Sequence, residues 1–139
     1  MSYEVGVTDL FESAHSLKGD NFGPAAQLHG HTYRVEVIAG GRRLSERDGT
    51  LCDIELIRGA LGRVARGMLH YRVLDEVEGL KKVNNTTAEH VARFIFSEVS
   101  RQLKKSVVDE AVGGASRIEY LKVTVWENQS SFASFRDRV

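Results

Sequence analysis

Apolar and polar residues alternate over the first forty positions of the chain. Val5, Val7, Phe11 and His15 fall on one face of a segment at about residues 3–16, and His29, His31, Tyr33, Val35 and Val37 share a face over about residues 29–40. A period of two is that of a strand with one buried face, so both segments read as β-strands. Gly40-Gly41-Arg42-Arg43 and the run through Gly49 read as turns, with a third strand expected to end near Cys52. From Asp53 the period changes. Ile54, Ile57, Leu61, Val64 and Met68 recur at helical spacing behind an aspartate suited to an N-cap. After a loop through Asp75 and Asn85, Thr86 and Glu89 have capping-box spacing at the head of a second helix. Its apolar stripe is Val91, Phe94 or Ile95, Val99 and Leu103. Beyond a turn at Gly113-Gly114, residues at about 117–128 read as the last strand. Strands in pairs with helices gathered between them predict an α+β fold, an antiparallel sheet with helices on one face.

Composition narrows the picture. The chain has 139 residues, a single proline and no low-complexity segment or repeat, which predicts one domain over residues 1–139. Nineteen basic residues balance nineteen acidic ones, so charge offers no case for nucleic acid or an anionic membrane as partner. No apolar run approaches the roughly 20 residues that span a bilayer. The first residues lack the basic-then-apolar layout of a secretory signal, and the single Cys52 cannot form an internal disulfide, so a cytoplasmic location is expected.

Two features of the pattern carry chemistry. His29 and His31 point the same way at the start of an apolar ladder, and an antiparallel neighbour would bring His15 alongside. Three neutral imidazoles with a fourth position open form a catalytic-type zinc site, and a packed, hydrogen-bonded histidine cluster is the other reading of the same spacing. The second feature is Glu127, which follows Leu121, Val123 and Val125 on one face of the last strand. Either the strand ends there and the carboxylate reaches solvent, or a sheltered carboxylate awaits paired N–H donors such as those of a heterocycle.

The order of the motifs Phe11-Glu12-Ser13-Ala14-His15, Leu28-His29-Gly30-His31-Thr32-Tyr33, Cys52-Asp53, Leu74-Asp75, Asn85-Thr86-Thr87-Ala88-Glu89 and Val125-Trp126-Glu127 resembles the 6-pyruvoyl-tetrahydropterin synthase family, which includes the 6-carboxy-tetrahydropterin synthases, over about residues 9–130. The resemblance implies a tunnelling fold, a four-stranded antiparallel sheet with two helices on one face, assembled as a homohexamer built from trimers with sites between subunits. It implies zinc on His15, His29 and His31, and a pterin ring anchored by Glu127 with help from Thr87.

Departures from the family pattern fall where its chemistry begins. The family's proton-abstracting cysteine, four residues before the first histidine of the pair, is here Ala25. Of the family's Asp-His pair, Asp75 is retained and the histidine is replaced by Glu76. A methyl group accepts no proton, and loss of one general base costs on the order of 10²–10⁴ in rate. The expectation is a pterin-binding homologue that has lost the synthase reaction. The alternative is a zinc-dependent lyase acting on a pterin or related heterocycle, with Asp75, Glu76 or His70 as the replacement base.

Overall fold

The structure, a computed structural model, describes residues 1–107 and 113–139. Strand β1 (Tyr3–His15) runs antiparallel to β2 (His29–Gly41), with Phe11 opposite Tyr33, Ser13 opposite His31 and His15 opposite His29. A two-residue strand β3 (Arg72–Val73) adds in parallel to the far end of β1 at Ser13 and Ala14. On the other side β4 (Tyr120–Trp126) pairs antiparallel with β2, and β5 (Phe132–Arg138) pairs antiparallel with β4. The sheet order is β3-β1-β2-β4-β5. The expected four-stranded antiparallel sheet is thus present, made mixed by the short parallel addition.

Helices α1 (Ile54–Val64) and α2 (Ala88–Val107) cover one face. Asp53 caps α1 as expected, its carboxylate accepting from the Glu55 amide at 2.9 Å. A single π-helical turn, Ala65–Leu69, follows directly and closes with the His70 amide on the Ala65 carbonyl at 2.9 Å. Phe11, Tyr33, Val35 and Val37 from β1 and β2, Leu121, Val123 and Val125 from β4, and Ile57, Leu61, Val64, Val91, Ile95 and Val99 from the helices form the buried core. The rings of Phe11 and Tyr33 stack at 4.8 Å. The other sheet face carries no helix among the described residues, and there Arg34 lies over the Trp126 ring at 4.5 Å and Arg136 over Tyr120 at 4.1 Å. No helix of the described residues is long and apolar enough to cross a membrane.

Four expectations are corrected. No strand forms among residues 42–53. Ser45, Asp48 and Thr50 satisfy one another in a turn, with Thr50 donating both its amide and its hydroxyl to Asp48, and Leu51 and Cys52 plug the core as a loop. The strand expected from about residue 117 starts at Tyr120, because Ala115–Arg117 forms a 3₁₀ turn after Gly114, whose φ of 72° is left-handed. Strand β5 was not foreseen; it is an edge strand whose side chains are mostly exposed, so no apolar row marks it. The second helix begins one residue later than the capping-box spacing implies. Thr87 accepts from the His90 amide at 3.4 Å, while the Thr86 hydroxyl turns away to Asp75.

The helix-covered face sets the stability. Phe11 is fully buried, so Phe11→Ala is expected to lower the unfolding free energy by about 3–5 kcal/mol in urea titration. A loss below about 1 kcal/mol would mean that the Phe11–Tyr33 stack is not part of the folded core.

Candidate functional site

His15, His29 and His31 meet where β1 ends and β2 begins. Their ring centroids are 4.6–5.2 Å apart, and one ligating atom from each lies within 4.8 Å of the others. The strand register brings them together, since residues 29 and 31 share a face and residue 15 stands directly across from 29. His15 is fully buried; His29 and His31 are half-buried.

Hydrogen bonds decide which nitrogen each ring offers. The Nδ1–H of His15 donates to the Thr86 carbonyl at 2.8 Å, and that of His29 donates to the Gln27 carbonyl at 2.7 Å. A carbonyl only accepts, so both Nδ1 atoms carry the proton, and Nε2 is the nitrogen that offers a lone pair in the neutral ring. The Nε2 atoms of His15 and His31 are buried with no hydrogen-bond partner among the described residues. Burial holds His31 below the ordinary histidine range; the Glu127 carboxylate pulls the other way, and the two neighbouring histidines reinforce the lowering. Imidazoles oriented so that Nε2 faces a common point are the donor set that zinc accepts, and carbonyl-bound Nδ1–H groups are its usual outer support. The residues present therefore fit the metal that the histidine spacing suggests.

Glu127 stands just past the end of β4, half-buried, its backbone amide bonded to the Ser131 carbonyl across the turn into β5. No donor among the described residues is bonded to its carboxylate, yet its charge reaches both His31 and Tyr33. The carboxylate is thus an open acceptor beside the imidazoles. Thr87, at the head of α2, accepts from the His90 amide and keeps its own hydroxyl proton for another partner.

The remaining candidates are placed differently. Ala25 lies in the 3₁₀ segment Asp20–Ala26, folded back on the end of β1 by the Leu17 amide on its carbonyl at 3.0 Å. Glu76 is exposed at the end of the 3₁₀ turn Leu74–Glu76. His70 accepts the Glu12 amide on Nδ1 at 3.1 Å and lies against Tyr71 with ring centroids 3.8 Å apart, which occupies the lone pair a base would need. Asp75 is half-buried and accepts from the Thr86 hydroxyl at 2.9 Å and from the Ser16 amide at 3.1 Å. Cys52 is buried in the core, where burial pushes its thiol up to about 11, well removed from a reactive thiolate.

Sequence reasoning did not single out the floor of the site. Tyr33 is fully buried beneath the cluster, its ring edge-on to His31 at 5.2 Å, and its hydroxyl has no partner among the described residues. Burial, reinforced by Glu127 and Asp75, raises its ionisation well above the usual tyrosine range. The hydroxyl therefore stays protonated.

The sequence model of one family, 6-pyruvoyl tetrahydropterin synthase, matches residues 4–138. The 6-carboxy-5,6,7,8-tetrahydropterin synthase of Aquifex aeolicus is 26% identical, with 99% of each chain covered, and that of Haemophilus influenzae is 26% identical over 97% of this chain and 99% of its own. Among solved structures, Caenorhabditis elegans 6-pyruvoyl tetrahydropterin synthase superposes with a TM-score of 0.78 at 20% identity, covering 99% of this chain and 96% of its own. A catalytic-residue mutant of Plasmodium vivax 6-pyruvoyltetrahydropterin synthase gives 0.77 at 19% identity, covering 100% and 99%. The fold is the one these proteins share.

An unpartnered buried hydroxyl weakens the fold. Tyr33→Phe is expected to raise the unfolding free energy of the metal-free protein by about 1 kcal/mol. A fall of that size in urea titration would show that the hydroxyl has a partner in solution.

Proposed function

Because the chain belongs to the 6-pyruvoyl tetrahydropterin synthase family, we propose that it binds a pterin-like ligand at the histidine cluster and does not carry out the synthase reaction. The observation that carries this reading is the pairing of three imidazoles, two with buried Nε2 atoms left free, with the open carboxylate of Glu127. Zinc on His15, His29 and His31 would act as a Lewis acid toward side-chain oxygens of the ligand. Glu127 receives two N–H groups of the ring, a charge-assisted and bidentate contact. The Thr87 hydroxyl donates to a ring acceptor.

The chemistry stops at the proton. Ala25 offers a methyl group where a base is required, Glu76 is turned to solvent, and the Nδ1 of His70 is held by a backbone amide. Among the described residues, no side chain at these positions stands ready to take a carbon-bound proton from a ligand side chain.

Assembly as a homohexamer built from trimers fits the margins of the sheet. The outer side of β1 over residues 3–12, which β3 does not reach, and the outer side of β5 have no strand partner among the described residues, and Leu10 and Phe132 are 47% and 62% exposed. Free edges of this length are usually covered.

Dialysis against zinc followed by elemental analysis is expected to give one ion per chain, lost in His29→Ala. Fluorescence titration with neopterin should give saturable binding, which Glu127→Gln weakens by about 1.5–3 kcal/mol. Equal binding by that variant would remove Glu127 as the anchor. Incubation of the zinc-loaded protein with 7,8-dihydroneopterin triphosphate is expected to give no 6-pyruvoyl or 6-carboxy product by chromatography, and Ala25→Cys with Glu76→His to restore some. Turnover by the unaltered chain would overturn the loss of reaction and identify a zinc-dependent lyase with a replacement base.

A further inference from the structure

We infer that Asp75 is a positioning residue that, through Thr86, fixes the orientation of His15, and is not a proton carrier. The inference rests on the zinc-binding reading of the histidine cluster and extends it outward by one layer. Asp75 sits at the crossing of three segments. One carboxylate oxygen accepts the Thr86 hydroxyl at 2.9 Å; the other accepts the amide of Ser16, the residue that follows His15, at 3.1 Å. Thr86 meets His15 from the other side. Its carbonyl accepts the Nδ1–H at 2.8 Å and its hydroxyl oxygen stands 3.3 Å from the same nitrogen.

The directions of these bonds follow from the groups. Nδ1 donates to the carbonyl, so it donates to the hydroxyl oxygen as well, and the hydroxyl proton is committed to the carboxylate. The result is a chain from carboxylate to hydroxyl to imidazole that leaves the Nε2 lone pair of His15 facing its two companions. Carboxylates commonly orient metal-binding histidines in this way, here with a hydroxyl interposed. Thr86 is 2% exposed and His15 1%, so water does not compete for these bonds. Both oxygens of Asp75 are spoken for by groups within the chain, and a carboxylate so held is a clamp. The same bond explains why Thr86 gives up the helix cap to Thr87.

The test measures zinc affinity by competition with a chromophoric chelator, together with histidine ring ¹⁵N shifts of the metal-free protein. It compares the unaltered chain with Thr86→Val, Thr86→Ser, Asp75→Asn and Glu76→Gln. Thr86→Val and Asp75→Asn are expected to weaken zinc binding about 10–100-fold, and Thr86→Ser and Glu76→Gln to stay within about threefold of the unaltered chain. The His15 ring ¹⁵N shifts should move only in the first two, while the Thr86 carbonyl keeps the proton on Nδ1. If the unaltered chain binds zinc and both of those variants bind it equally well, the clamp is wrong and the metal reading survives. If the unaltered chain binds no zinc, the metal reading fails and the ring shifts alone decide, unchanged His15 ring shifts in Asp75→Asn overturning the clamp. Asp75→Asn preserves size and decides the matter should Thr86→Val fail to fold.

Discussion

The register of β1 against β2 is the constraint on which the histidine cluster depends. With Phe11 opposite Tyr33, Ser13 opposite His31 and His15 opposite His29, two strands deliver three imidazoles to one point without the help of a loop. A slip of one residue in β2 would turn His29 and His31 to the bare face of the sheet and drive Thr32, Arg34 and Glu36 under the helices. The core forbids that slip. Tyr33, Val35 and Val37 are fully buried and continue the row that the histidines begin. The apolar ladder and the cluster are therefore one alternating pattern, and the burial that stabilises the fold also holds the site in register.

The cluster itself adds nothing to stability without an occupant. Two buried Nε2 atoms and the Tyr33 hydroxyl lack partners among the described residues, and each such group costs free energy that the surrounding core must offset. Part of the cost is contained by the carbonyls of Thr86 and Gln27, which satisfy one nitrogen of His15 and of His29 and fix the direction of the other. A polar cluster tolerated in this form, its rings preoriented, is suited to receiving a cation more than to packing for its own sake.

The positions proposed to bind and those where the family pattern would place its bases stand on different kinds of structure. His15, His29 and His31 are strand residues, Glu127 directly follows a strand, and Thr87 opens a long helix. Ala25 and Glu76 stand on short 3₁₀ segments in connections. Residues in connections change without disturbing a sheet, whereas a change in the strand row would be felt by the core. Asp75 belongs to the second group by position and to the first by its bonds, since it ties a connection to the end of β1 and to the approach to α2.

Local pattern made the row His29, His31, Tyr33, Val35, Val37 legible, along with the two amphipathic helices, the Asp53 cap and the place of Glu127 at the end of an apolar strand. Each follows from a period or a cap that acts within a few residues of the chain. The same local reasoning suggested a strand before Cys52 that side-chain turns replace, and it missed β5, whose exposed edge leaves no apolar row. It assigned the cap of α2 to Thr86, because nothing near Thr86 in the chain announces that Asp75 takes its hydroxyl. By itself the sequence determined which residues share a face and which chemistry they carry. Only the tertiary structure decided that His15 meets His29, which ring nitrogens are free, and that Asp75 is engaged from both sides. These depend on strand register and on bonds between residues up to 71 positions apart, which no short-range pattern encodes.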